Sequence, residues 1–196
     1  SAALAAATMT HAVGAQPAPR KGAAPLTSTL GRDATHYGVV PGSPDDQTRA
    51  IQRAIDEAAR SGVPLAFPPG IYRSSALRLS ANAQLVGVRG ATKFQFVGGE
   101  SLLTGDGADN ITLSGLTLDG GSPGLAQRRG LVHLTSGNAL RITDCEITGS
   151  ARNGIWLERM SGEVRNNTLR RVFSTAIVSF DASGLLVAQN TIQDTS

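Results

Sequence analysis

Cysteine is nearly absent. Cys145 is the only one in 196 residues, which excludes an intrachain disulfide framework and a thiolate metal site. In a chain that leaves the cytoplasm, a lone thiol is expected to be buried. Aromatic residues make up only 4% of the chain, too few bulky anchors to favour a helical bundle. Charged residues reach 17% with a formal charge of +3, and no Lys/Arg block forms, so the charge pattern gives no reason to expect a nucleic-acid partner. No apolar run approaches the roughly 20 residues that a transmembrane helix requires.

What the sequence does have is glycine, 23 residues of it, with enough Leu, Ile and Val to build a core. Many turns, little charge and short apolar pieces describe a β-rich repeat chain of one domain. The first residues, "SAALAAATMTHAVGA", are Ala-rich and uncharged. The small residues Val13 and Ala15 before Gln16 fit a signal-peptidase site. Residues 1–27 are therefore expected to be a signal-peptide remnant and a Pro/Ala-rich linker, in a secreted or periplasmic protein.

One helix is evident. In "SPDDQTRAIQRAIDEAARSG", Ile51, Ala54, Ile55 and Ala58 follow the i, i+3, i+4, i+7 pattern. Ser43 as N-cap and Pro44 in the first turn predict a helix over about 44–61, stopped by Gly62. Asp45 and Asp46 read as charges at its positive end rather than as a metal pair. After Gly62 the pattern becomes short alternating strands around Pro68-Pro69-Gly70. Residues 28–84 are expected to form the cap and first strands.

From about residue 85 a repeat takes over. The pairs Leu113/Leu118, Ile142/Ile147, Val164/Leu169 and Val187/Ile192 begin 29, 22 and 23 residues apart. A second element, "GLVHL" from Gly130, "GIWL" from Gly154 and "AIVSF" from Ala176, keeps the same pace. The longer interval holds the insertion "GGSPGLAQRR". A period of about 22–24 residues carrying three short strand-like pieces predicts an all-β fold, a right-handed parallel β-helix solenoid with an N-terminal capping helix. The chain halts within a repeat, so residues 85–196 are expected to be coils of a longer solenoid. Three residues after the first aliphatic position stand Leu116, Cys145, Asn167 and Asn190. At a corner, inward asparagines of successive coils can bond one another and satisfy buried amides; these two are expected to be structural.

The stretch "DDQTRAIQRAIDEAARSGVPLAFPPGIYRSSALRL" resembles the N-terminal cap of the pectate lyase / pectin lyase-like superfamily of right-handed parallel β-helix proteins. "GIWL…VRNNTL" and "AIVSF…VAQNTI" are similar to its coils, and the likeness extends over about residues 36–196. With its export-like start, the chain is also similar to the twin-arginine-translocated repetitive β-helix proteins of bacteria. The resemblance implies an exported protein that binds, and as a further expectation cleaves, an acidic polysaccharide as a lyase or a glycoside hydrolase. The alternative is a non-catalytic surface or structural β-helix, or a carbohydrate-binding module. None of the catalytic motifs of the well-known members is present.

The resemblance implies a cleft along the "GIWL" strand. Alternation there places Ile155 and Leu157 inward and Trp156 outward, with Val132 and Val178 in the same outward phase. Trp156 is then the lone aromatic of its face, either a platform for a sugar ring or packed beneath the 120–129 loop. His133 falls inward as a core residue. The loops before each such strand carry Arg128, Arg129, Arg152, Arg170 and Arg171, either a ladder that pairs with uronate carboxylates or a solvated basic surface. Arg152, Arg171, Glu158 and Asp181 are the candidates for catalysis; Trp156, Arg128, Arg129 and Arg170 for substrate binding. Glu158 and Asp181 follow their strands toward the cleft side, whereas Asp119 belongs to a turn. No metal site is assigned and no cofactor is certain; Ca²⁺ enters only through the resemblance, as a lyase's helper.

Overall fold

The computed structural model describes residues 31–121 and 129–195; the expected signal remnant and linker, and Arg128, lie outside them. The chain forms an all-β parallel solenoid, the right-handed β-helix that the repeat predicts, preceded by one α-helix.

The helix spans Thr48–Ser61 and starts four residues later than the sequence suggests. Ser43 is used in a turn, accepting from Asp45 N at 3.2 Å. Asp46 instead accepts from Thr48 N at 2.8 Å and from Ser75 Oγ at 2.9 Å, which ties the helix start to the first coil. Gly62 ends the helix at φ 64°, a left-handed turn that glycine adopts without a Cβ penalty. The predicted stripe Ile51, Ala54, Ile55 and Ala58 is buried over the first coil. Beneath it Phe67, Tyr72 and Phe94 pack with ring centroids 4.8–5.5 Å apart, so three of the few aromatics plug the open top of the solenoid.

Each coil contributes to three sheets. The first stacks residues 70–74, 92–96, Thr117–Asp119, Glu146–Ser150, Thr168–Val172 and Thr191–Thr195. The second stacks 77–78, 103–106, 132–135, 155–158 and Ile177–Phe180. The third stacks Arg32–Asp33, Leu65–Ala66, Gln84–Val86, Thr112–Ser114, 141–143, 162–165 and Leu185–Ala188. Neighbouring coils therefore lie about 4.8 Å apart, and alternate side chains fill a continuous aliphatic core.

The corner from the third sheet to the first is the tight one. Gly115, Asp144, Asn166 and Gln189 occupy it with φ of 67°, 55°, 57° and 56°. The next residue turns inward, and there the asparagine ladder forms as expected. Asn167 Nδ2 donates to Asn190 Oδ1 at 3.0 Å and to the Ile142 carbonyl at 2.9 Å, while its Oδ1 accepts from Cys145 N at 2.9 Å. Cys145 is fully buried in the same column, and burial pushes its thiol up to about 12. A second ladder runs along the corner between the second and third sheets. Asn110 donates to Asn82 at 3.0 Å, Asn138 N to Asp109 at 2.7 Å, and Ser161 Oγ to Asn138 at 3.1 Å.

Candidate functional site

The outward side chains of the second sheet form two columns. Register places Arg78, Thr104, His133, Trp156 and Val178 in one, and Asp106, Thr135, Glu158 and Phe180 in the other. This corrects the sequence reading at two positions. Val132 pairs with Ile155 and is fully buried, and His133 pairs with Trp156 on the outside. Gly130 and Gly154 look equivalent in sequence, yet Gly130 is in register with Asn153. A Cβ on Gly130 would meet Trp156 N at 2.8 Å, whereas one on Gly154 would meet the Ala176 carbonyl at 2.6 Å. Each glycine answers a different close approach, and aligning the two shifts the strand by one.

Trp156 is consequently not the lone aromatic of its face. The His133 ring lies over it at 5.9 Å and 10°, and Phe180 leans on its other side at 5.2 Å and 48°. The three rings make a strip along the solenoid axis, one per coil. Among the described residues neither His133 Nδ1 nor Trp156 Nε1 has a hydrogen-bond partner, and both atoms are buried.

The strip runs into a groove of about 450 Å³ lined by Arg78, Thr104, Gly105, Asp106, Arg129, His133 and Thr135. Gln52 bonds the backbone of Arg78, and the Arg78 guanidinium has no partner among the described residues. Arg129 Nη2 lies 3.1 Å from Glu100 Oε2. Asp106 accepts from Thr135 Oγ1 at 2.6 Å. Burial first and Arg129 second hold His133 below the usual histidine range, against the opposing pull of Glu158 and Glu100. His133 thus stands beside the Arg129 guanidinium, with Arg78 lining the same groove, so an anion bound there would meet cations from two coils.

The four described arginines of the expected ladder do not form one column. Arg129 enters the groove, and Arg152 is exposed at the corner leading into the second sheet. Arg170 and Arg171 belong to the first sheet. Arg170 Nε donates to Glu146 at 2.6 Å, and Arg171 donates to Thr148 Oγ1 at 3.1 Å. Glu158 faces the strip, but Arg159 binds its carboxylate and also donates to Ser136 at 3.0 Å. Asp181 follows Phe180 in a left-handed turn with φ 51°. Glu158 is in register with Phe180, so the two carboxylates stand at different levels. Asp119 keeps its turn role, accepting from Gly121 N at 3.0 Å.

Among the described residues no group of three or more His, Cys, Asp or Glu could hold a metal ion. Ca²⁺ does not fit this face, where Asp106 and Glu158 are already engaged. The groove arginines Arg78 and Arg129 come from different coils, and Arg78 lies in the cap region. That pairing was not legible in the sequence, because only the register joins them.

A family model described as a right-handed β-helix region matches residues 77–196, more than half of the chain. A second, described as rhamnogalacturonase A/epimerase, pectate lyase-like, matches residues 31–114. None of the curated proteins matches the chain. Among solved structures it is similar to a candidate glycosyl hydrolase from Parabacteroides merdae, with TM-score 0.64 and 15% identity over 84% of this chain and 88% of that one. It is also similar to the A-module of the mannuronan C-5 epimerase AlgE6 from Azotobacter vinelandii, with TM-score 0.56 and 20% identity over 84% of this chain and 58% of that one. Gene product 12 of bacteriophage phi29 gives TM-score 0.56 and 18% identity over 85% of this chain and 33% of that one. At these identities the structures share the fold.

Proposed function

The chain belongs to the right-handed β-helix family, and on that premise we propose that the outward face of its second sheet binds an acidic polysaccharide. The observation that carries this reading is the continuity of the ring strip His133–Trp156–Phe180 with the groove of Arg78 and Arg129. Pyranose rings present apolar faces that suit an indole, and uronates add a carboxylate that suits a guanidinium. Sugar units follow one another at about the spacing of successive strands in a sheet, about 4.8 Å, so a glycan along the axis meets one outward ring or cation per coil. The rhamnogalacturonase and epimerase likeness of residues 31–114 supports the same class of ligand.

Cleavage is the finer reading. His133 supplies a neutral base, the groove arginines neutralise the uronate, and Arg152 and Glu158 flank the strip. A non-catalytic binding module is the competing reading, supported by the engagement of Glu158 with Arg159 and of Asp106 with Thr135. A secreted or periplasmic place accords with a polymeric ligand and with a single thiol that is buried and pushed up to about 12, where oxidants find little thiolate. Among the described residues no helix is long and apolar enough to cross a membrane.

Trp156 is the only tryptophan in the chain, so its fluorescence reports the face directly. Titration with oligogalacturonate is expected to change its emission with saturation, and a neutral galactan to do so more weakly. Unchanged emission with every acidic glycan would remove the reading. Ultraviolet absorbance of the same mixtures separates lyase action, which creates an unsaturated uronide, from binding alone.

A further inference from the structure

We propose that Glu100 is a specificity-determining residue of this site: its carboxylate stands on Arg129 in the place a uronate carboxylate would take, so an anionic sugar enters the groove by displacing it. The inference rests on the polysaccharide reading and deepens it.

Glu100 and Arg129 come from successive coils, each just ahead of its strand in the second sheet. Their ion pair spans 3.1 Å, with side chains 69% and 35% exposed respectively. A pair this exposed is screened by water and holds weakly. Glu100 belongs to the strand Thr92–Asp106, whose Gly98 is in register with Ser75, so its backbone is held while its exposed side chain has room in solvent to rotate off Arg129.

The remaining charges of the groove make the exchange selective. Asp106 is bound by Thr135, and Arg78 has no side-chain partner among the described residues. A uronate that replaces Glu100 keeps Arg129 paired and gives Arg78 an anion as well. A neutral sugar has no carboxylate to seat on Arg129 and leaves the Glu100 pair in place, so only an anionic sugar makes the exchange. The charged groups facing His133 are Arg129, Glu158 and Glu100, with Arg78 and Asp106 lining the same groove. Glu100 raises the proton affinity of His133, which gives the residue an independent signature.

The test uses the full chain as wild type, Glu100→Gln, Arg129→Gln and the double variant. Each is titrated with a galacturonate oligomer and with a neutral galactose oligomer by Trp156 fluorescence. Monomeric galacturonate is followed in parallel through the His133 ring resonances. Glu100→Gln is expected to tighten the acidic oligomer about two- to fivefold, the scale of releasing an exposed ion pair, and to leave the neutral one unchanged. It is expected to gain nothing when Arg129 is already glutamine, and to lower the His133 pKa without ligand. An acidic oligomer bound equally by wild type and Glu100→Gln overturns the proposal and leaves the polysaccharide reading standing, as does a variant that tightens both sugars alike. If no oligomer binds any form, the polysaccharide reading falls and the monomer decides. His133 shifts that saturate at lower galacturonate in Glu100→Gln sustain the subsite, and their absence overturns it.

Discussion

The outward faces of the first and second sheets are built on one register and one coil spacing, yet they use their side chains in opposite ways. On the first sheet, charge answers charge from coil to coil: Lys93 lies 3.4 Å from Asp119, Arg170 donates to Glu146 at 2.6 Å, and Arg171 reaches Thr148 at 3.1 Å. On the second sheet the ladder closes only in part: Glu100 pairs with Arg129 and Thr135 donates to Asp106, but the rings and Arg78 are left open. His133 Nδ1, Trp156 Nε1 and the Arg78 guanidinium have no partner among the described residues. A solenoid makes ladders of whatever residues it is given. Residue type decides whether a ladder closes on itself and serves the fold, or stays open and serves a ligand.

The largest effect is expected from breaking the frame that the two faces share. Asn167→Ala leaves Cys145 N buried without its side-chain partner, takes the amide bond from the Ile142 carbonyl and removes the bond to Asn190. An orphaned donor costs about 1–3 kcal/mol and each further lost bond about 1 kcal/mol, so urea denaturation is expected to show a loss of about 2–5 kcal/mol. A loss below about 1 kcal/mol would mean that the corner holds without its amide ladder.

Trp156→Ala attacks the second sheet alone. The indole lies between two rings and is half-buried, so truncation is expected to cost acidic-glycan affinity about tenfold or more. Calorimetric titration replaces fluorescence here, since the reporter is gone. Retained affinity would place the ligand elsewhere.

A pH titration sharpens the contrast at a smaller scale, because His133 is the group on the open face whose affinity for protons is depressed from 6.5. The unfolded chain binds that proton more readily than the folded one. Stability is therefore full above about 6.5 and declines as pH falls through the lowered value in the fold. Ligand works the other way: protonated His133 adds a cation to the groove, so acidic-glycan affinity is expected to rise a few-fold over the same window. His133→Gln should flatten that rise. A pH-independent affinity in wild type would show that the imidazole does not face the bound anion.

Much of this was legible in the sequence, and the failures have one physical root. The cap helix, the coil period and the Asn167/Asn190 column were readable because each depends on local spacing or on identical residues recurring in phase. The Asp109–Asn138–Ser161 contacts were not, because different residue types fill equivalent corner positions, and Asn82–Asn110 lies ahead of the aligned repeat pairs, which begin at Leu113. The His133 and Val132 error was a register error: beside an insertion, two glycines with different steric causes were aligned, and a slip of one residue reverses every side chain of a strand. The same dependence on register hid the groove, whose arginines are 51 positions apart in sequence, at 78 and 129, and misplaced Arg170 and Arg171 on the open face.

The smallest effect is expected where the ladder is closed, and it decides whether the contrast between the sheets holds. Glu146→Gln removes the anion that Arg170 pairs with, on a part-exposed surface where such pairs contribute about 0.2–1 kcal/mol. Arg170 keeps an amide oxygen to donate to, so the loss should lie at the low end and diminish with added salt. Acidic-glycan affinity should not move at all, because the pair belongs to the first sheet, whose outward side faces away from the strip. If Glu146→Gln or Arg170→Gln weakened glycan binding as much as Arg129→Gln does, the closed ladder would be part of the binding surface. The glycan would then have to wrap the corner between the sheets, where Arg152 is exposed, rather than lie along the rings.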